Sequence, residues 1–309
     1  IVNSGEYGLH SEHAASRPLV TRNAFLGAGD AAKVFLHPQA LSHFTDNVLQ
    51  SVELASGTLT ESAQWELNGD AIYEPKGDLL VAQGVTLTLP AGFKMQINSP
   101  TYDLIISGTL LALGTPNAPI WIGRTTNYGG KVHFTPSSTG SLLDHVQIER
   151  MGYHSLGTTA DYALHIETSS LTLRHSIVKD SDYIGIYISN EAQPVITECS
   201  IYGNEYGLYN NSITTVVTAT HNWWGHVTGP YHRAMNPGGR GNQVSDSVLL
   251  DPWLTMAPEG EHVSITTYGL SPARPNVLPG QGFTLRYYLS NPLAAAQKIY
   301  LLARVRDPE

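Results

Sequence analysis

The chain has 309 residues, a formal net charge of −9 and only 14% charged residues. The length allows one large or two modest domains. The acidic balance argues against a surface built to neutralise nucleic-acid phosphates or anionic lipid. At 41% hydrophobic the chain is too apolar for disorder, and its 29 Gly, 18 Pro and 16 Tyr point to strands and turns. A single cysteine, Cys199, excludes an intramolecular disulfide framework and a Cys-rich zinc site. No run approaches the roughly 18 apolar residues of a membrane-spanning helix.

In chain order, the opening Ile-Val-Asn-Ser carries neither an initiator Met nor a signal-peptide pattern, so a processed form is expected. Residues 1–57 show no repeat. Strands are expected at 33–36 and 48–54 and a helical turn around 40–44, which reads as an N-terminal segment or cap. From there on, repeats dominate. Residues 81–89 match 105–113 at an offset of 24, with Gly84 over Gly108. Ser176-Ile177 and Ser200-Ile201 are also 24 apart, and Asn222-Trp223 follows by 22. A second register, Ala163-Leu164-His165, Gly185-Ile186-Tyr187 and Gly207-Leu208-Tyr209, recurs at 22 and 22.

Within each period, short alternating runs such as 171–173, 184–188 and 195–196 read as half-buried strands. Three such strands per period of 22–24 residues make one coil of a parallel β-helix, each coil stacking about 4.8 Å above the last. Inward stacks are expected along Leu164/Ile186/Leu208 and Ile177/Ile201/Trp223. The frame of a leucine-rich repeat is missing, and a sandwich gives no fixed offset.

The motifs are Trp65, Gly84-Val-Thr-Leu-Thr-Leu-Pro-Ala-Gly92, Ile106-Ser-Gly-Thr-Leu-Leu-Ala-Leu-Gly114 and Pro119-Ile120 at the opening. Two coils ending in Gly185-Ile186 and Gly207-Leu208 follow. The close is Asn222-Trp-Trp-Gly225, Gly229-Pro230, Asn236-Pro-Gly-Gly239, Val244-Ser-Asp246 and Asp251-Pro-Trp-Leu254. With these, residues 65–254 resemble the right-handed parallel β-helix of the pectin-lyase-like superfamily. More narrowly, they resemble its exported and cell-surface members from bacteria and archaea. A right-handed β-helix over 58–256 is the expected fold.

Trp223, Trp224 and Trp253 in the closing block are expected to cap the apolar tube, whose end otherwise exposes core and strand edges. Sugar stacking is the other reading of these tryptophans. Residues 225–241 read as an excursion loop and 248–250 as a returning strand. Beyond, 257–309 reads as a linker followed by β segments at 263–269, 284–291 and 298–305. Their Gly-Gln-Gly-Phe-Thr-Leu and Leu-Ser-Asn stretches resemble the first strands of an immunoglobulin-like surface module. Such a module needs about 100 residues. It is therefore cut short, completed in cis by the N-terminal segment, or completed in trans by a neighbouring subunit. Self-association through the two ends is the expected partnership.

The resemblance implies a fold that often hosts polysaccharide lyases and hydrolases. A lyase needs acidic residues to hold Ca²⁺ and a basic group to take a proton, and a hydrolase needs a carboxylate pair. The densest polar stretch holds Asp144, Glu149, Arg150, Asp161, Glu167, Arg174, His175, Lys179, Asp180 and Asp182. Glu149 and Lys179 fall at equivalent positions, and Asp180 falls over Asn204. Coil turns are ordinarily polar, and no lyase or hydrolase motif matches residue by residue. No catalytic residue is assigned, and no motif specifies Ca²⁺. Five histidines, His133, His145, His154, His165 and His175, offer no usable zinc spacing, so no metal is expected.

If Leu164, Ile186 and Leu208 face inward, then His165, Tyr187 and Tyr209 form an outward ladder. Such a ladder suits a sugar or protein partner, and equally a cross-coil stack that only stabilises the sheet. The loop 151–160 is expected to wall one side. Asn210-Asn211-Ser212 is a glycosylation sequon. These readings converge on a non-enzymatic extracellular or cell-surface structural protein of a surface layer, filament or adhesive fibre. The alternative is a carbohydrate-active enzyme or a polysaccharide-binding adhesin.

Overall fold

The computed structural model describes residues 7–25, 33–127, 129–152 and 162–258. For strands Thr267–Ser271 and Thr284–Tyr288 it describes the backbone alone. The chain divides into two units, Ile1–Pro258 and Glu259–Glu309.

The first unit is a parallel β-helix. One coil illustrates it. Ile72–Pro75 lies on sheet I, Leu79–Val81 on sheet II and Thr86–Leu89 on sheet III, before Lys94–Gln96 returns to sheet I beside Ile72–Pro75. Every pairing within the three sheets is parallel, and they hold nine, nine and six strands respectively.

Alternation puts every second residue on the axis, and coil stacking turns those residues into unbroken rows. On sheet I the row is Val34, Val52, Tyr73, Met95, Ile122, Ile148, Val178 and Ile201, all at most 1% exposed. On sheet II, Leu59, Val81, Ile106, Phe134, Ile166 and Ile188 form an equivalent row. Leu89, Ala112, Leu143, Leu173 and Ile196 line sheet III.

The second register of the repeat holds: Leu164, Ile186 and Leu208 pair in order and are fully buried. The first does not. Val178, not Ile177, pairs with Ile201, and Ile177 faces Ser200 half-buried. The expected stack Ile177/Ile201/Trp223 is therefore off by one residue, which on a strand reverses the face.

The match at offset 24 fails in the same way. Val81 pairs with Ile106, 25 residues on, and Leu87 pairs with Leu110, 23 residues on. The corner between these strands shortens from four residues to two. Gly84 and Gly108 are accordingly not equivalents. Gly84 turns the chain at φ +77°, whereas a Cβ on Gly108 would lie 2.2 Å from the Val85 carbonyl oxygen.

The solenoid also begins earlier than the repeats suggest. Leu9–Ser11, Val34–Leu36 and Ser51–Leu54 are the first three strands of sheet I, so the described strands before residue 57 belong to the stack rather than to a separate segment. The expected helical turn is a 3₁₀ helix, Pro38–His43, capped by His37 Nδ1, which accepts from the Gln39 N–H at 3.1 Å. Three asparagines knit these coils. The Asn23 N–H donates to Asn47 Oδ1, and the Asn47 N–H to Asn68 Oδ1, each at 3.0 Å.

His37 is buried, and burial, with repulsion from His13 and Arg17, pulls its pKa below the ordinary histidine value. Between the two values the unfolded chain takes up a proton that the folded chain refuses. Stability is therefore full above about pH 6.5 and falls as the pH drops below it. His37→Asn keeps a capping acceptor but cannot titrate, so its urea midpoint is expected to fall less than the parent's between neutral and mildly acidic buffer. Equal falls would remove His37 as a source of acid sensitivity.

In the last described coils, left-handed residues flank the sheet-I strands. His145, His175, Glu198 and His221 lead onto the sheet; Arg150, Asp180, Gly203 and Gly225 lead off it. Trp223 and Trp224 are fully buried, and Trp224 belongs to the core. Trp253 is half-buried and lies against Gly229, where a Cβ would come within 2.4 Å of the indole. Val248–Leu249 returns to pair with Val217–Thr218.

In the second unit, Thr267–Ser271 and Thr284–Tyr288 form an antiparallel pair. The rest of the expected immunoglobulin-like segment lies outside the described residues.

Candidate binding face

The outward face of sheet II carries a run of rings. Because Leu164, Ile186 and Leu208 point to the axis, the next residues, His165, Tyr187 and Tyr209, point away and pair in register. The row extends one coil further through His133. Ring centroids are 4.4 Å apart for His133–His165, 5.2 Å for His165–Tyr187 and 5.9 Å for Tyr187–Tyr209. Tyr162 stacks on Tyr187 at 4.7 Å with 9° between planes, and Tyr206 meets Tyr209 edge-on at 5.4 Å. These spacings suit aromatic pairing, and the tyrosines stay half-buried.

The two ends of the row differ in chemistry. His165 points outward but is only 8% exposed, so the ladder's expected first surface rung is buried. Burial, with the neighbouring His133, pushes its pKa down to about 4, which keeps the ring neutral. His165 Nε2 is 2.9 Å from Ser189 Oγ, and His133 Nε2 is 2.8 Å from Glu167 Oε2. This is not an activated serine. Glu167 lies on the Nε2 side of His165, 3.9 Å away, while Nδ1, which a triad carboxylate must hold, has no partner.

At the other end the row opens into a cleft of about 590 Å³ lined by Tyr206, Tyr209, Tyr231, Arg233, Gln243 and Asp246, among others. Arg233 Nη2 is 3.2 Å from Asp246 Oδ2, and both side chains are well exposed. Tyr231 and Arg233 come from the stretch expected to be an excursion loop, which instead carries the short strand Pro230–Tyr231 paired with Gly241–Val244, and no periodicity marks them. Their contribution to the face was invisible in the sequence.

The polar stretch at the coil corners is largely paired off. Arg174 donates to Asp144 Oδ2 at 2.9 and 2.7 Å, while His145 and His175 each approach Oδ1 at 2.8 Å. Glu149 pairs in register with Lys179, 3.8 Å away, and accepts from Trp121 Nε1. Asp182 pairs with Arg124. Asp180 sits over Gly203 rather than over Asn204, which instead accepts from the Ser181 N–H at 2.9 Å. Asp161, His154 and the rest of the loop expected to wall the face, 153–160, lie outside the described residues.

Asn210 cannot serve as the sequon's acceptor in the folded chain. It continues the inward row after Ile188, is buried, and commits Nδ2 to the carbonyls of Thr215 and Ser247 at 2.8 and 2.9 Å. A polar residue on the axis needs those bonds. An attached glycan would replace one of the two Nδ2 hydrogens and so break at least one of these bonds.

Comparison with known proteins adds no identity: no family model matches the chain, and neither the curated proteins nor the solved structures contain a match. None of the helices described is long and apolar enough to cross a membrane.

Proposed function

We propose that this chain is a non-enzymatic, extracellular structural protein of the adhesive-rod type, whose sheet-II face holds a polysaccharide. One observation carries the reading: the tyrosine row Tyr162, Tyr187, Tyr209 and Tyr206 runs across coils into an open, polar-lined cleft. Half-buried rings stacked on one another along a stiff sheet offer a continuous run of ring edges and hydroxyl groups to a sugar chain. Arg233, Gln243 and Asp246 supply hydrogen-bonding groups beside them. The stacked sheets make the rod, and the proposed end-to-end association extends it into a filament, layer or fibre. Placement at the cell surface rests on the resemblance of the closing block to exported β-helix proteins. The alternative of a lyase or hydrolase on the same fold gains no support from Asp144, Glu149 or Asp182, which serve as partners of Arg174, Lys179 and Arg124.

Tyr187→Ala and Tyr209→Ala are each expected to weaken retention on the polysaccharide that the parent protein binds best by about tenfold, the loss of one ring from the row. Melting curves should stay close to the parent's. Affinity electrophoresis across neutral and acidic polysaccharides measures it. Retention unchanged in the double variant would reduce the row to a cross-coil brace. Release of unsaturated uronates by the parent would replace the reading with a lyase.

A further inference from the structure

We propose that His133, His165 and Glu167 form a binding site for a divalent transition-metal ion of the zinc type. The sequence reading found no usable zinc spacing, yet His165-Ile166-Glu167 is a His-x-Glu pair on and just after a strand. Two residues apart, its side chains share one face. Coil stacking then sets His133 directly beside His165, a contact that no spacing along the chain announces.

The donor set is two imidazoles and one carboxylate, which favours zinc and its neighbours over the oxygen-seeking calcium or magnesium. Their ligand atoms lie within 4.8 Å of one another. Tetrahedral zinc, with bonds of about 2.0–2.1 Å, needs donors about 3.3 Å apart. Gathering them takes side-chain torsions, chiefly a tilt of the two imidazoles, which now stack with 8° between planes. Ligation through His133 Nε2 takes the neutral Nδ1–H tautomer, so the hydrogen bond to Glu167 Oε2 gives way to the ion and the ring keeps its one hydrogen on Nδ1. Ser189 Oγ, 2.9 Å from His165 Nε2 and 3.4 Å from Glu167 Oε1, completes a polar surround.

The independent observation is His165 itself. It is more than nine-tenths buried; Nε2, which faces Glu167, has only Ser189 Oγ within hydrogen-bond distance, and Nδ1 has no partner. Burying an imidazole half-satisfied is costly. Two coils earlier Ile105 fills the same row without that penalty. Ligation through Nε2, the nitrogen on the Glu167 side, offsets that cost even though Nδ1 keeps no partner.

A second cluster, Asp144 with His145 and His175, fits poorly. Arg174 holds Asp144, and Glu198 takes His175 Nε2 at 2.8 Å, so a cation there meets a guanidinium 2.7 Å from its carboxylate. Near the proposed site the cation is Lys131, which Asp103 engages at 2.6 Å.

The test is titration of untagged, chelator-stripped full chain with Co²⁺, reading visible absorbance, followed by displacement with Zn²⁺. One equivalent of Co²⁺ is expected to give the intense visible bands of a four-coordinate site, which Zn²⁺ bleaches. His133→Gln and Glu167→Gln, at half-buried positions, should each weaken Zn²⁺ binding at least about 100-fold, above the loss typical of outer-shell changes. Asp144→Asn should leave it unchanged. His165→Gln is read only if its circular dichroism matches the parent's. Two results would overturn the proposal. One is no stoichiometric uptake by the parent. The other is uptake that survives both Gln variants or disappears in Asp144→Asn. No glycan enters the assay, so its outcome stands apart from the adhesive reading.

Discussion

Trp224→Ala is expected to destabilise the β-helix by about 3–5 kcal/mol, the range for removing a large buried ring. Trp224 is fully buried in the core. Its carbonyl accepts from the Asn242 N–H at 2.7 Å, tying the excursion loop back to the last coil. The indole packs under Gly207, where a Cβ would stand 3.2 Å from its Cε3. Alanine leaves a hole that the backbone of adjacent coils, locked by parallel pairing, cannot collapse to fill.

Cys199 reports the result locally. Its thiol is fully buried, and burial pushes its pKa up to about 12, so it resists thiol reagents in the folded chain. The Trp223 N–H donates to the Cys199 carbonyl at 2.8 Å, so loosening of the closing block reaches this residue first. Urea melts should show the lost stability, and Cys199 should be labelled at denaturant concentrations where the parent is still protected. A loss under about 1 kcal/mol with Cys199 still protected would mean the tube closes without this plug.

Asn68→Leu is the second large effect, expected at about 2–5 kcal/mol. Asn68 is completely buried, and all of its hydrogen-bonding capacity is spent. Oδ1 accepts from the Asn47 N–H and Nδ2, both at 3.0 Å; Nδ2 donates to the Phe44 carbonyl and Tyr73 Oη, both at 2.9 Å. Leucine shares the branched outline and adds apolar area, so simple hydrophobic accounting predicts little loss. The orphaned groups decide the sign, because each buried donor or acceptor left without a partner costs about 1–3 kcal/mol. Asn47→Ala should cost a similar amount, and the double variant less than the sum, since both break the same chain of bonds. Strict additivity in a double-mutant cycle would show that the two asparagines act separately.

What the sequence disclosed follows from where coils have uniform length. From Leu164 through Ile186 to Leu208 the pairing steps are 22 and 22, and both the buried row and the outward rings beside it could be read directly. Between Val81 and Leu113 a longer and a shorter corner cancel over one turn. The alignment at 24 thus looked sound while being one residue off on each strand. The first coils were missed because Pro38–His43 and the short pair Val20–Thr21 with Phe44–Thr45 interrupt them. Yet Asn23, Asn47 and Asn68, at 24 and 21, carried a repeat in polar residues that a search on aliphatic and glycine positions passed over. The cleft residues Tyr231 and Arg233 sit in a stretch with no period at all. The contact between His133 and His165 needs a coil step of 32, the longest between described neighbours along that row before Tyr209, and no local pattern signals it.

Those unequal coils have a mechanical consequence. From Val81 to Asn210 along sheet II the steps are 25, 28, 32, 22 and 22 residues, although each coil climbs the axis by the same strand spacing. A rod under tension peels one coil at a time. At about 3.3–3.6 Å per extended residue, a short coil pays out about 75 Å of chain and the longest about 110 Å. Slack is thus stored in the corners without lengthening the rod, and a force trace along the chain would carry these coil lengths as unequal steps.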